Sequence, residues 1–254
     1  NSASGAYTYT PNHSAINALT TTQTDAFTIS VSDGSLSATT NYTVNLTGSN
    51  EAPNNTLNTT ITLAGTTTNN SSATEDTAKS IQGIQIADSD AITVTVTFIH
   101  TAGILSVANN VANGLTASAI SGSGTATLVL TGTVAQINST LAANSGLIYT
   151  PIENFNGSAT LTMTTNDGAG GVDSDTLAMT VSAVNDIPTL TAFASSIDAT
   201  NEDTAVEMTL ADLLAQGNEA DVDGAVTGFV IKSVASGTLR IGADAASAQA
   251  WNAT

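Results

Sequence analysis

The sequence repeats itself at a spacing of about 135 residues, and this limits the possible folds more than any other feature. Tyr9-Thr10-Pro11 returns as Tyr149-Thr150-Pro151, and Asp33-Gly34 returns as Asp167-Gly168. Asn50-Glu51-Ala52-Pro53 is matched by Asn185-Asp186-Ile187-Pro188, and Glu75-Asp76-Thr77-Ala78 by Glu202-Asp203-Thr204-Ala205. Asp88-Ser89-Asp90 is matched by Asp221-Val222-Asp223, and Gly103-Ile104-Leu105 by Gly237-Thr238-Leu239. The landmarks keep their order at offsets running from 127 to 140, as a tandem unit with small insertions does. Pro53 and Pro188 each stop an alternating run and mark linkers. The order predicts the back half of one unit (1–52), a complete unit (53–187) and the front half of another (188–254).

Within a unit the pattern is that of strands. Residues alternate from Ala26 to Val31, Tyr42 to Leu46, Ile92 to Phe98, Thr125 to Leu130, Ala159 to Met163 and Leu177 to Val181. Short strands with Gly, Asn, Asp and Ser between them predict an all-β chain of sandwich domains. One helix is expected inside the central unit, at Thr133 to Ala143. There Val134, Ile137 and Leu141 share a face and Thr133 is placed to cap it. A second short turn of helix is expected at Leu210 to Ala215.

Charge narrows the function. Lys79, Lys232 and Arg240 are the only cations against 21 acidic residues, for a net charge of −18. Nucleic acid and anionic membrane surfaces both require clustered Lys and Arg, so neither is an expected partner. No run approaches the length of a membrane span. No basic-then-apolar leader is visible at residue 1, so export is directed from elsewhere or the chain is a piece of a larger protein. The absence of Cys excludes disulfides, zinc-thiolate sites and Cys nucleophiles. His13 and His100 lie in different units, and His100 is expected at a turn or surface. With no nucleophile elbow or metalloprotease motif either, the chain is not expected to be an enzyme. Trp251 is expected in a domain core.

The acids collect at the repeat landmarks. Asp33, Glu51, Glu75, Asp76, Asp88, Asp90, Asp167, Asp173, Asp175, Asp186, Glu202, Asp203, Asp221 and Asp223 all fall in a landmark or the turn beside one. Clustered carboxylates repel one another unless a cation neutralises them, and three basic residues cannot do so. Any single Asp-x-Asp or Asp-Gly is ordinary turn chemistry. The recurring set without counter-charges points instead to a hard divalent ion, and calcium accepts six to eight oxygen ligands in irregular geometry.

The sequence Asn-Asp-x-Pro, then Glu-Asp-Thr, then Ala-Asp-x-Asp, then a late Asp-Gly resembles cadherin-type repeats. Tyr149-Thr150-Pro151, Asn154-Phe155-Asn156-Gly157 and Asp167-Gly168 are similar to the back half of bacterial cadherin-like and VCBS-type tandem repeats, found in large RTX-like surface adhesins. The resemblance implies tandem cadherin- or immunoglobulin-like β-sandwiches with Ca2+ at the domain junctions. It places Asn50, Glu51, Asp88, Asp90 and Asp167 at one junction. Glu75, Asn185, Asp186, Asp221 and Asp223 fall at the next, with Glu202 serving the junction after and Asp33 the one before. Glu51 departs from the pattern by standing where Asp is usual, and no mid-domain Asp-Arg-Glu is present. Asp76, Asp203, Asp173 and Asp175 are expected in hairpins or at strand ends instead.

The function implied is an extracellular, calcium-stiffened spacer of a bacterial adhesin, acting in cell adhesion and biofilm. Its partners would be neighbouring repeats or further copies, with surface glycans or matrix as the adhesion ligand. The alternative is a subunit of an extracellular filament. A half sandwich leaves sheet edges and an apolar face uncovered, and another copy can complete it as well as a longer chain can.

Overall fold

Thr, Val and Ile alternate through most of the chain, and β-branched runs of this kind favour extended backbone with one face inward. A computed structural model describes residues 7–19, 21–63, 66–196 and 199–251. The protein is all-β, with strands in several sheets and only short helices. It divides into two compact units, Asn1–Ala183 and Val184–Thr254.

The first unit begins with helix α1 (His13–Asn17) and a hairpin of two ten-residue strands, β1 (Gln23–Ser32) and β2 (Ser37–Leu46). Asp33 and Gly34 make its turn, and Gly34 has φ 97°, which a side chain would resist. Short strands follow: β3 (Asn54–Thr56), β4 (Thr60–Leu63), β5 (Thr66–Asn69), β6 (Ser72–Thr74), β7 (Lys79–Ile81) and β8 (Gln85–Ala87). The longer ones are β9 (Val94–His100), β10 (Gly103–Val107), β12 (Thr127–Gly132), β13 (Leu147–Pro151), β14 (Gly157–Asn166) and β15 (Val172–Ser182), with the two-residue β11 (Ile120–Ser121) between β10 and β12.

Two sheets share one core. The larger has the order β11-β12-β9-β14-β15-β6 and the smaller β10-β13-β7. Period-2 side chains from the larger sheet point inward, namely Val94, Val96, Phe98, Leu128, Leu130, Leu161, Met163, Leu177 and Met179. Leu105, Leu147, Tyr149 and Ile81 meet them from the smaller sheet. Helix α2 (Val134–Leu141) adds Ile137 and Leu141 to the same core. Its start is a capping box: the Thr133 hydroxyl accepts the Gln136 N–H, and the Gln136 side chain accepts the Thr133 N–H.

Two expectations shift. The strand expected at 92–98 runs instead over Val94–His100. Asp88 turns the chain just before it by accepting the N–H groups of Asp90 and Ala91, and Ile92 is left exposed. His100 is not at the surface. It is 2% exposed and stacks on Tyr149 with ring centroids 3.8 Å apart. It continues the inward face of Val94, Val96 and Phe98, a phase that the alternation already contains.

The second unit repeats the first where its residues are the counterparts. Thr189 and Ala220 exchange backbone hydrogen bonds, at the place where Asn54 and Ala87 are paired in register between β3 and β8. Asp76 and Asp203, one repeat apart, both take left-handed backbone, with φ of 57° and 61°. Helix α3 (Leu210–Gln216) carries its own capping box from Thr209 and Asp212. The segment 229–234, which stands one repeat after β9, forms no strand. Val230 is 77% exposed, and Ala248 is the one buried residue of this unit among those described. Trp251 is half-buried and donates its N–H to the Leu239 carbonyl.

This contrast is measurable. Leu161→Ala, at a fully buried position, is expected to cost about 2–5 kcal/mol in urea unfolding. Val230→Ala should stay within about 0.5 kcal/mol.

Candidate metal centre

The linker before the central unit and the turns at the unit's near end bring acids together. Asn50 and Glu51 lie just before β3; Asp88 and Asp90 follow β8; Asp167 starts the turn between β14 and β15. That turn uses Asp167 as a frame: Oδ1 accepts the N–H of Ala169 at 2.7 Å and of Gly171 at 2.9 Å. Its other oxygen accepts the Asn50 side-chain amide at 2.8 Å, so the linker is tied directly to the turn. The Asn50 amide, with the turn N–H groups, holds the Asp167 carboxyl below the usual carboxylate range. Asp33 does the same local work in the β1–β2 turn. It accepts the N–H of Ser35 and of Leu36, both at 2.8 Å, and these bonds lower its pKa.

Asp88 and Asp90 carry the unresolved charge. Asp88 Oδ1 is used by the backbone of Asp90 and Ala91, but its Oδ2 is buried without a hydrogen bond. Asp90 accepts the Glu51 N–H, yet its Oδ1 is likewise buried and unpartnered. Burial, then the facing Asp88 carboxyl and the nearby Glu51 charge, push the Asp90 pKa up. Ser89 donates to Glu51 at 3.4 Å, which holds Glu51 beside this pair. Asn50, Asp90 and Asp167 line one cleft.

The second unit repeats the arrangement. Asp221 Oδ1 accepts the N–H of Asp223 and of Gly224, as Asp88 accepts those of Asp90 and Ala91. Asp186 donates its backbone N–H to Asp223 Oδ1 at 3.2 Å, the counterpart of the bond from Glu51 to Asp90. Asn185 bonds through its side chain to the Asp186 carbonyl. Glu202 is exposed in this unit.

At the opposite end of the central unit, Glu75 is 1% exposed, follows β6, and its N–H bonds to the Ser182 carbonyl. The Asn156 amide approaches its carboxylate at 3.5 Å, and Asp76 accepts the Asn154 N–H at 3.0 Å. Glu75 therefore sits far along the sheet from Asp167, since Val181 and Val172 are the opposite ends of their shared strand pairing. Asp173 is a structural residue. It accepts the Asn55 N–H at 2.7 Å, and Asn55 in turn accepts the Thr165 hydroxyl, which fastens β3 to the β14–β15 hairpin. Sequence reasoning missed Asn55 and Thr165, although Asn55 in a short strand after the linker Pro was the available signal.

The residues fit a hard cation by their donor chemistry. Every candidate ligand is an oxygen donor, and Asp88 and Asp90 each keep a buried carboxylate oxygen with no hydrogen bond. Among the described residues, no three acidic or imidazole side chains already converge on a single point in ligating geometry. In metal-free buffer, Asp90→Asn is expected to raise stability by about 1 kcal/mol, because an amide can donate to Asp88 where a carboxylate repels it. Asp167→Asn should lower it by a similar amount, through the lost turn and linker bonds. Thermal melts of both variants check the signs.

No protein-family model matches this sequence, and no curated protein matches it. Among solved structures, a protocadherin gammaB7 EC3-6 cis-dimer structure is similar over 84% of this chain and 44% of that one, at 14% identity and a TM-score of 0.30. The match spans under half of that chain's length.

Proposed function

We propose that this chain is a run of cadherin-like β-sandwich repeats from an extracellular bacterial adhesin, a non-catalytic spacer that calcium stiffens at its domain junctions. One observation carries the reading. In both units the linker residue two positions before Pro donates its backbone N–H to the second Asp of Asp-x-Asp, Glu51 to Asp90 and Asp186 to Asp223. A cation held by these acids would bind the linker as well as the domain. Glu51, Asp88, Asp90, Asn50 and Asp167 would hold it at the central unit. Asn185, Asp186, Asp221 and Asp223 would do so at the next, to which Glu75 would add a carboxylate, while Glu202 would serve the junction after and Asp33 the one before. Bound calcium supplies the positive charge that the chain's three cations cannot. No helix among the described residues is long and apolar enough to cross a membrane.

Without the ion, facing carboxylates favour an open, hinged linker. With it, linker and domain are cross-linked and the folded state gains stability by mass action. Small-angle scattering and limited proteolysis of the chain, with calcium and then with chelator, test this. The expected result is a shorter mean extension and new cleavage near residues 49–53 on chelation. Unchanged scattering and unchanged cleavage would contradict the proposal.

A filament subunit is the second reading, and one observation favours it. The β1–β2 hairpin leaves Ile29, Val31 and Tyr42 exposed, while its counterpart β14–β15 buries Leu161 and Met163 against β9. Residues 229–234, the counterpart of β9, lack such a partner strand. A second copy's hairpin could supply it by strand addition. Analytical ultracentrifugation decides this: a concentration-independent monomer excludes it.

A further inference from the structure

His100 ends β9 in the larger sheet, and its ring lies on Tyr149 of β13 in the smaller one, 26° from parallel. The pair is thus a contact across the sandwich between two nearly inaccessible side chains, 2% and 0% exposed. Tyr149 also donates its hydroxyl to the Ala102 carbonyl at 2.7 Å, and Ala102 donates its N–H to His100 Nδ1 at 3.1 Å. One short loop therefore joins both rings.

The hydrogen bonding fixes the protonation state. Nδ1 accepts from Ala102, so the neutral ring carries its proton on Nε2. Nε2 is buried with no hydrogen-bond partner. A second proton would have to enter at Nδ1, where it would confront the Ala102 N–H, and the resulting cation would have no acceptor at either nitrogen. The neighbouring elements offer no compensating charge. β10, β12 and β14 contain no titratable residue, β13 contributes only Tyr149, and β7 contributes Lys79, itself a cation. Lys79 is paired in register with Tyr149.

We propose that His100 is an acid-sensitive latch between the two sheets of the central unit: its neutral imidazole holds them together, and protonation releases them. Burial agrees with this in direction, lowering the His100 pKa from 6.5 to about 4. The sign follows. The unfolded chain takes up a proton as pH falls through 6.5, while the folded unit resists until about 4. Stability contributed by the latch is therefore complete above 6.5 and declines as pH falls towards 4. At one tenfold step per pKa unit, the folding equilibrium constant falls by up to roughly 300-fold across that window. This is independent of the calcium reading, because His100 forms its hydrogen bond with Ala102 and not with a proposed ligand, and the test uses chelator throughout.

The experiment has two arms on the full chain. In the first, NMR titration follows the two imidazoles, with nitrogen shifts reporting the tautomer. His100 is expected to carry its proton on Nε2 at neutral pH and to titrate well below 6.5. Titration near 6.5, or a proton on Nδ1, would overturn the proposal without any substitution. In the second, urea unfolding by circular dichroism is measured from pH 7 to 4.5 for the wild type and for His100→Phe, which keeps the stack. The wild type should lose stability relative to the variant as pH falls. Parallel pH profiles would overturn the latch.

Discussion

Carboxylates without counter-charges govern this protein. With 21 acids and three cations, salt bridges cannot absorb the charge, so the backbone absorbs part of it. Asp33, Asp88, Asp167 and Asp221 each commit an oxygen to N–H groups two to four residues ahead and so shape a turn. Those turns stand at sheet ends, which gathers the remaining oxygens at the poles of a unit. Turn formation and charge concentration are therefore two results of one residue choice. Asp88 and Asp90 show the consequence most clearly, since each keeps one buried oxygen with nothing to accept from.

Much of the fold was legible because local pattern and long-range packing agree in the central unit. The alternation at 159–163 and 177–181 becomes the buried faces of β14 and β15, and the capped helix after Thr133 lies as its sequence predicts. Strand ends were less legible, because Asp88 bends the chain through bonds that depend on backbone direction and not on hydrophobic period. His100 was missed for a different reason. A polar residue type suggested the surface, while its phase relative to Val94, Val96 and Phe98 placed it inside. Of the site, the repeat identified the acids, and the Asp167–Asn50 tie follows from the chain path. The structural use of Asp173 was not visible, since Asn55 lies 118 residues away from it.

The same sequence pattern has two outcomes in this chain. Ten residues of β1 and ten of β14 make equivalent hairpins through equivalent Asp-Gly turns, yet only β14 has β9 beside it. Similarly, 229–234 stands one repeat after β9 but lacks its neighbours and remains unpaired. Alternation therefore specifies a face that can be buried; the partner strand decides whether it is. In the central unit that partner exists, and there the sheets close on a continuous core with His100 and Tyr149 bridging them.

Stiffening at the junctions requires that the gathered carboxylates bind a divalent ion. Isothermal titration calorimetry of the metal-free chain with calcium tests this most directly, with a double variant carrying Asp90→Asn and Asp223→Asn as control. Saturable binding to the wild type, in preference to magnesium and sharply weakened in the variant, is the predicted result. Absence of saturable heat, or the same isotherm for both proteins, would contradict it.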